Sequence, residues 1–351
     1  MANAALVYGA TGFTGRLIID AALKVGLRPI LAGRQRQRLE PLARALGLEF
    51  RAAELAASSQ LQDALSGIAV VLNAAGPFVD TARPLVDACL QAGAHYLDVS
   101  GEVDALEMVA SRSHEARSRG LMLLPGAGFD VVPSDCLCAH VASRVARPRV
   151  LRVAISGLEL ASPGSSATLT AELGRPTRVR RAGRLTELPR NTFTRPFDFG
   201  GGKRACAAVS WGDLASAHLT TGIENVETYF ELTPPVAAML QASAFGAWFF
   251  ALPGMRDNLR RQAKRWTSEP SAAQRAARQA TIVVEVEDAN GRTHAARLRT
   301  PEAYTLTAVV AAEILRRVAG GDWEPGFQTP GRLFGPQLIL GMDGVHLTEL
   351  E

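Results

Sequence analysis

The chain has 351 residues, of which 47% are hydrophobic and 21% charged, and its formal net charge is +4. That length allows two domains with a core each, and the mild positive charge does not indicate a nucleic-acid-binding protein. The four cysteines form no C-x-x-C pair and have no histidine cluster beside them. We therefore predict no metal site and a reduced, cytoplasmic setting.

A glycine-rich turn follows the first predicted strand and precedes the first predicted helix. Residues 4–8 are a short apolar run, and the pattern from Arg16 to Val25 is helical. A strand, a G-x-x-G-x-x-G turn and a helix predict a dinucleotide site, with the phosphates facing the start of the helix. The residues predicted to bind the cofactor here are Gly9, Ala10, Thr11, Gly12, Phe13, Thr14 and Gly15.

The second predicted strand, near residues 28–34, ends where a Rossmann domain distinguishes NAD from NADP. An acid about 20 residues past the glycine turn would bind the ribose of NAD, whereas an arginine accommodates the 2′-phosphate of NADP. This chain has Gly33-Arg34 there, with Arg36 and Arg38 close behind and no acid. We therefore predict NADP(H), with Arg34 on the phosphate. The alternative is a basic helix start that only meets solvent.

Further strands and helices alternate up to residue 124. Helices are predicted near 36–46, 58–66, 80–93 and 103–119, and strands near 48–53, 68–73, 95–98 and 121–124. The near-continuous apolar run at 68–73 is typical of a central parallel strand that is covered on both faces. Six strands that alternate with helices predict a Rossmann domain.

Small and polar residues follow the fourth and fifth predicted strands. Ligands of an open α/β sheet lie beyond the carboxyl ends of its strands, so these residues are candidates for the site. Asp98 and Glu102 are candidates for orienting cofactor or substrate. Asn73 is alternatively a turn-forming helix cap, and Ser100 alternatively caps the next helix. The cofactor contacts predicted here are Asn73, Ala74, Ala75, Gly76, Pro77 and Ser100.

Residues 125–135 close this half of the chain, beyond the sixth strand. Asp130 is the polar residue best placed there to face a nicotinamide or a substrate, and we name it as the catalytic proton donor, with water as the alternative source of the proton. Its alternative role is to form the turn, with Ser134 and Asp135 in the first turn of a helix at 133–145.

The second half has a different character. A strand from Val150 to Leu160, a turn at 162–166 and a helix near 167–174 precede residues 175–205, which lack periodicity and suggest a long surface loop or lid. Residues 281–298 predict a hairpin around Asn290-Gly291, so an antiparallel α+β domain is expected. A helix to about Val318 and an apolar tail should then return to the first domain.

Two adjacent stretches of the second half each allow more than one role. Residues 236–252 are apolar but too short and interrupted for a membrane span; they suit a core helix, a lipid tunnel, a membrane surface or a subunit interface. The basic run at 256–265 suits a solvated face, or contact with an acidic carrier protein, coenzyme A or anionic lipid. Because the first strand starts within the opening residues, we also expect no signal peptide.

These motifs resemble those of the saccharopine dehydrogenase-like NADP-binding oxidoreductases, and within that group the trans-acting enoyl reductases. The motifs are Tyr8–Gly15, Gly33-Arg34, Asn73–Pro77, Tyr96–Glu102, Gly128–Asp135 and Phe327–Pro336. The resemblance implies an α/β fold: a Rossmann doubly wound parallel sheet, an inserted α+β second domain and a C-terminal segment that returns to the first domain. The implied bounds are 1–130, 131–300 and 301–351.

The resemblance also implies an NADPH-dependent reductase. Its substrate would carry an activated C=C or C=N bond in a largely apolar, lipid- or polyketide-like small molecule, free or carrier-bound. An amino-acid or imine dehydrogenase of saccharopine type and a non-catalytic NADP(H)-binding scaffold are the alternatives, and a homodimer is left open. The Tyr-x-x-x-Lys pair of short-chain dehydrogenases is excluded, because no tyrosine has a lysine four residues on.

Overall fold

The computed structural model describes residues 4–158, 175–188, 194–234 and 268–350, with the single positions 237, 254, 258 and 262. The chain divides into two compact units. The first unit comprises Met1–Val132 and Tyr304–Phe334, and the second comprises Pro133–Ala303 and Gly335–Glu351. The larger segment of the second unit is thus inserted, in sequence, into the first, and its smaller segment follows the first.

The described elements alternate regularly only in the first third of the chain. The strands are β1 Ala4–Tyr8, β2 Ile30–Gly33, β3 Phe50–Ala52, β4 Ile68–Asn73, β5 His95–Asp98, β6 Met122–Leu124, β7 Pro148–Ser156, β8 Arg178–Arg181, β9 Arg184–Glu187, β10 Thr194–Asp198, β11 Lys203–Ala208, β12 Asn225–Glu231, β13 Gln279–Asp288, β14 Thr293–Pro301, β15 Gly326–Phe327 and β16 His346–Leu350. The helices are α1 Phe13–Lys24, α2 Arg36–Leu46, α3 Ser58–Leu65, α4 Phe78–Ala92, α5 Val103–Ser111, α6 Ser113–Ser118, α7 Val132–Ala142, α8 Asp213–Thr221, α9 Ala272–Ala276, α10 Ala303–Ala319, α11 Pro330–Phe334 and α12 Gln337–Leu340.

The first unit contains a parallel sheet with the strand order β15-β6-β5-β4-β1-β2-β3. The order 3-2-1-4-5-6 is that of a Rossmann fold, so the predicted fold class is confirmed. In addition, β15 extends the sheet beyond β6, after the chain has returned from the second unit. The sequence predicted this return but not the extra strand, which is only two residues long.

Both faces of this sheet are covered. On one face, alternate strand residues such as Leu6, Val71 and Leu123 form a core with residues of α3 and α4. The residues between them, such as Val7 and Leu72, are buried as well. A strand buried on both faces reads as one apolar run, which is why the pattern at 68–73 identified β4.

The second unit contains a mixed sheet with the strand order β10-β11-β12-β7-β13-β14-β16. The β8–β9 hairpin is joined to it through β12. The predicted hairpin is confirmed as β13 and β14, which pair from Gln279↔Pro301 to Glu287↔Thr293. The sheet is not wholly antiparallel as expected, because β12 runs parallel to β7.

The expectation of a long loop at 175–205 is wrong for its described residues, which include β8, β9, β10 and the start of β11. Apolar side chains such as Val179 and Phe197 are buried. The arginines between them pair with glutamates on other strands, Arg181 with Glu227 on β12 among them. Ion pairs between strands therefore replace the regular apolar alternation that would have indicated strands in the sequence.

The expectation that residues 335–351 return to the first domain is also wrong. They belong to the second unit, where β16 pairs with β14 from Arg299↔His346 to Ala295↔Leu350. The predicted helix at 103–119 is two helices, α5 and α6. The turn at 162–166, the helix at 167–174 and all but single positions of the stretches 236–252 and 256–265 lie outside the described residues. Among the helices that are described, none has the length and apolar composition needed to cross a membrane.

Candidate functional site

The glycine turn after β1 is held against the end of β2. Gly9 has a φ of 87°, which favours glycine, and the N–H groups of Gly9 and Ala10 both donate to Ala32 O, at 2.9 and 3.1 Å. Gly12 N then donates to Gly9 O at 2.9 Å and closes the turn. The predicted turn thus has a defined backbone conformation at the carboxyl edge of the sheet.

Two glycines of this turn are required by close backbone packing. A Cβ on Gly15 would overlap Gly9 O and lie 3.0 Å from the carbonyl carbon of Gly9. A Cβ on Gly9 would lie 2.9 Å from Ala74 C and Ala75 N, in the turn that follows β4. The first and second turns of the site therefore pack tightly at Gly9, which leaves no room for a side chain on that residue.

The start of α1 is open to a ligand. Gly12 is the N-cap residue, it is exposed, and no side chain caps the helix. The first backbone N–H groups of a helix need acceptors, and the helix dipole favours an anion there. An exposed glycine cap with no acid in the first turn therefore fits the pyrophosphate of a dinucleotide.

Arg34, directly after β2, has no hydrogen-bond or ion-pair partner within the part of the chain that the structure describes, and it is exposed. By contrast, Arg36 lies 4.0 Å from Glu40 and over the ring of Phe50. Arg38 donates a long bond of 3.5 Å to the side chain of Gln35. Of these three arginines, Arg34 is thus the one without a contact among the described residues, and its pairing with a phosphate stays a prediction.

Tyr8, the last residue of β1, lies close to Arg34. Its hydroxyl donates to Ala53 O at 3.0 Å, which ties the end of β1 to the residue after β3. Burial raises the pKa of Tyr8 to about 12, and the charge of Arg34 opposes that rise. The phenol therefore stays neutral and serves as a structural donor.

Asn73, at the end of β4, forms the turn instead of reaching towards a ligand. Its side-chain oxygen accepts from Ala75 N at 2.9 Å, and its side-chain nitrogen donates to Thr81 at 3.1 Å and to Tyr96 at 3.3 Å. Asn73 is fully buried, whereas residues 74–77 are accessible. The turn-forming alternative therefore describes its side chain, and cofactor contact by residues 74–77 stays a prediction.

Asp98, at the end of β5, is a buried carboxylate that organises its surroundings. It accepts from Tyr96 Oη at 2.8 Å and from the N–H groups of Ser100 and Gly126, both at 2.9 Å. Burial raises the pKa of Asp98 to about 6, although these three hydrogen bonds lower it. The side chain of Asp98 therefore connects the loop after β5 to the loop after β6 through hydrogen bonds.

Glu102 caps a helix other than its own. Its two carboxylate oxygens accept from Phe78 N at 3.0 Å and Val79 N at 2.8 Å, at the start of α4. Ser100 Oγ accepts from Glu102 N at 3.0 Å and is fully buried. Ser100 therefore supports Glu102, and its predicted contact with the cofactor remains a prediction.

Asp130 lies in a turn just past β6 and is partly buried. The N–H groups of Val131 and Val132 donate to Gly128 O at 3.3 and 2.9 Å, which closes the backbone around it. Burial raises the pKa of Asp130 to about 7, and the negative charge of Glu102 adds to the rise. A carboxyl with such a pKa can hold or release a proton near neutral pH, as general acid catalysis requires.

Sequence reasoning missed two residues and one role that shape this edge. Tyr96 links Asn73 to Asp98, and Thr307 of α10 accepts from Phe129 N at 3.0 Å. The third omission is the role of Glu102 as the cap of α4. A tyrosine two residues before an acid, at the end of a predicted strand, was a sequence signal for the link between Tyr96 and Asp98. The contacts of Thr307 and Glu102 join segments that are distant in sequence, so no local pattern indicated them.

The comparisons with known proteins agree with this geometry. The family model for the saccharopine dehydrogenase NADP binding domain matches residues 5–124. The chain is similar to that family over these residues, which are about a third of its length. The family resemblance and the cofactor, NADP(H), that were predicted from the sequence are thereby confirmed.

Similar proteins carry two kinds of name. The chain is 31% identical over 150 residues to the saccharopine dehydrogenase-like oxidoreductase of Homo sapiens, covering 37% of this chain and 35% of that protein. It is 31% identical over 199 residues to the trans-acting enoyl reductase of Mycobacterium ulcerans (strain Agy99), covering 52% of this chain and 48% of that protein. These matches span about a third and about half of the relatives' own lengths.

A solved structure shares the fold over almost the whole chain. It is the apo saccharopine dehydrogenase (L-Glu forming) of Saccharomyces cerevisiae, at 14% identity and a TM-score of 0.68. The alignment covers 99% of this chain and 100% of that one. At this identity the likeness supports the two-unit fold only.

Proposed function

We propose that the protein is an NADPH-dependent reductase of an activated C=C or C=N bond in a largely apolar small molecule. The observation that carries the proposal is the NADP-binding domain with Asp130 at the carboxyl edge of its sheet. Both kinds of named relative, the saccharopine dehydrogenase-like oxidoreductases and the trans-acting enoyl reductases, are oxidoreductases by name. The NADP-binding domain that these matches share supports reduction over a scaffold role.

The residues of the first unit would hold the cofactor at three places. The start of α1, with Gly12 as its exposed cap, suits the pyrophosphate. Arg34 suits the 2′-phosphate, because a guanidinium forms charge-assisted and often bidentate bonds with phosphate. The accessible residues 74–77 suit the ribose and nicotinamide side of the dinucleotide. When bound, NADPH supplies a hydride from C4 of its nicotinamide ring.

Asp130 would supply the proton that completes the reduction. The hydride adds to the electrophilic carbon, and the neighbouring carbon or nitrogen then needs one proton. Since the pKa of Asp130 is raised to about 7, a large share of the carboxyl is protonated at neutral pH. After donation, the carboxylate regains its proton from water.

The charge at this edge of the sheet supports a substrate without carboxylates. Asp98, Glu102 and Asp130 bring three carboxyl groups to the ends of β5 and β6, and Glu102 already fills the anion-binding start of α4. A substrate with several carboxylates would meet the negative charges of Glu102 and Asp98 here. This favours a neutral enoyl group or a neutral imine without carboxylates over a saccharopine-type substrate.

The partners and the setting follow the same reasoning. A lipid- or polyketide-like chain would reach the enzyme free or on a carrier; by name, the trans-acting enoyl reductases act on an enoyl group. A cytoplasmic setting is part of the proposal, and four buried cysteines that form no disulfide with one another support it. A homodimer and a peripheral membrane contact remain parts of the proposal that rest on sequence alone.

A substrate panel tests the proposal. Oxidation of NADPH is followed with an N-acetylcysteamine thioester of a 2-enoic acid, a cyclic imine without carboxylates, and the dicarboxylate imine of an amino acid and a 2-oxo diacid. We expect turnover of the first or the second, and in Asp130→Asn a kcat that falls about a hundredfold but stays measurable. Preference for the third would establish the saccharopine type, and NADPH binding without turnover of any would establish the scaffold.

A further inference from the structure

Thr307 belongs to a part of the chain far in sequence from Asp130. It lies on α10, which follows the second unit, whereas Asp130 follows β6. Its hydroxyl accepts a buried hydrogen bond of 3.0 Å from Phe129 N, the residue before Asp130. A backbone N–H in a loop needs such an acceptor, because leaving it buried without one is costly.

The same threonine also fits closely against Gly128. A Cβ on Gly128 would lie 3.0 Å from Thr307 Cγ2, 3.3 Å from Thr307 Oγ1 and 3.2 Å from Val99 Cβ. The methyl group and the hydroxyl of Thr307 therefore both contact the loop. Any larger residue at position 128 would push the loop away from α10.

The turn that carries Asp130 is then fixed on both sides. On one side, Asp98 holds Gly126 N through its carboxylate and Ala127 N through its backbone oxygen, at 2.9 and 2.6 Å. On the other side, Val132 N donates to Gly128 O at 2.9 Å. Between these two points, the bond from Phe129 N to Thr307 anchors the turn to α10.

We infer that Thr307 is a positioning residue for Asp130 in the proposed reduction, acting through the backbone of Gly128 and Phe129. This role rests on the proposed function. Proton transfer requires the donor to lie within hydrogen-bond reach of the acceptor atom, so a shift of the turn by about 1 Å lowers the rate steeply. Thr307 contributes no chemistry of its own.

Thr307→Val tests this role, because valine keeps the methyl contact and removes only the acceptor. With the substrate that wild type turns over best, we expect kcat to fall about tenfold while Kd for NADPH stays within about twofold. Thr307→Ser keeps the acceptor and should restore most of kcat. Thr305→Val, an exposed threonine on the same helix, is the matched control and should behave as wild type.

A double-mutant cycle separates positioning from general stabilisation. In the Asp130→Asn background, Thr307→Val should cause no further loss of kcat, because the group that it positions is already absent. The role of Thr307 would be overturned if the kcat losses of the two single variants multiply in the double variant, or if kcat is unchanged in Thr307→Val. In either case, turnover by wild type would leave the proposed function standing. An inactive wild type that still binds NADPH would overturn both.

Discussion

The carboxylate of Glu102 accepts a hydrogen bond of 3.0 Å from the backbone N–H of Phe78, the first residue of α4. Its second oxygen accepts from Val79 N at 2.8 Å. A negative charge at a helix start is stabilised by the helix dipole, so Glu102 is held as an anion beside the turn that follows β4. The same charge raises the pKa of Asp130, which connects the helix cap to the proposed proton donor.

Replacing Glu102 by glutamine should shift the pH dependence of catalysis. Without the charge of Glu102 the pKa of Asp130 falls below about 7, so Asp130 loses its proton at a lower pH. We expect the high-pH decline of kcat/KM to move to lower pH, with a loss of stability of about 1–2 kcal/mol from the weakened cap. The measurement is a pH–rate profile with a denaturant titration beside it.

The matched control for that change is Asp104→Asn, which removes an acid from the first turn of α5. It should leave the midpoint of the pH–rate profile in place. The claim that the charge of Glu102 raises the pKa of Asp130 would be contradicted by a midpoint that stays the same in Glu102→Gln. It would also be contradicted by a midpoint that moves equally in Asp104→Asn.

Asp98 should make the protein less stable as pH rises through the pKa of its buried carboxyl. Its folded pKa of about 6 lies above the ordinary value, so the folded state binds the proton more tightly than the unfolded state. The protonated carboxyl contributes stability that is complete below about pH 4 and is lost as pH rises to about 6. Asp98→Asn should remove this loss.

Urea denaturation from pH 4 to pH 8 measures this effect as the difference in unfolding free energy between wild type and Asp98→Asn. The variant can still accept from Ser100 N and Gly126 N through its amide oxygen. We expect wild type to lose on the order of 2–3 kcal/mol relative to the variant across this range. A constant difference at every pH would show that Asp98 titrates normally.

Gly15→Ala should disrupt cofactor binding and stability together. The added methyl group overlaps Gly9 O, so α1 must move away from β1 at the place where the pyrophosphate is expected. We expect a loss of about 2–3 kcal/mol in unfolding free energy and a strong loss of NADPH affinity. Gly201→Ala, which meets open space, is the control and should bind NADPH normally. Wild-type affinity in Gly15→Ala would contradict the close packing.

The sequence predicted the first unit well because its signals are local. The apolar run of β4, the glycines after β1 and the arginine after β2 each act within a few residues of their own position. The carboxyl edge of the sheet, where the proposed site lies, was only partly predictable. Thr307 and Phe129 are 178 residues apart, and no local pattern announces such a contact.

The second unit was harder for a different physical reason. Its strands β8 to β11 are rich in arginine, and their charges are neutralised by glutamates on other strands, as Arg195 is by Glu285 at 2.9 Å. Because these strands lack a regular apolar alternation in sequence, a search for that pattern assigns them to a loop. Similarly, the tail at 335–351 was assigned to the wrong unit because its apolar content does not reveal which sheet edge it joins.

Arg34→Asp should change cofactor preference more than overall affinity for dinucleotides. The substitution removes the phosphate partner and adds a carboxylate that can bind the ribose of NADH. We expect Kd for NADPH to rise by about a hundredfold or more, and Kd for NADH to change little or fall. Arg38→Asp, in which the arginine already contacts Gln35, is the comparison and should have a smaller effect. Equal losses for both dinucleotides would remove Arg34 from the phosphate site.

The most direct test of the account is a titration of the purified full chain with NADPH and with NADH, followed by cofactor fluorescence or calorimetry. We predict saturable binding of NADPH and binding of NADH that is at least about tenfold weaker, because Arg34 meets the extra phosphate. Absence of measurable binding to either dinucleotide would contradict the central claim that the first unit binds NADP(H).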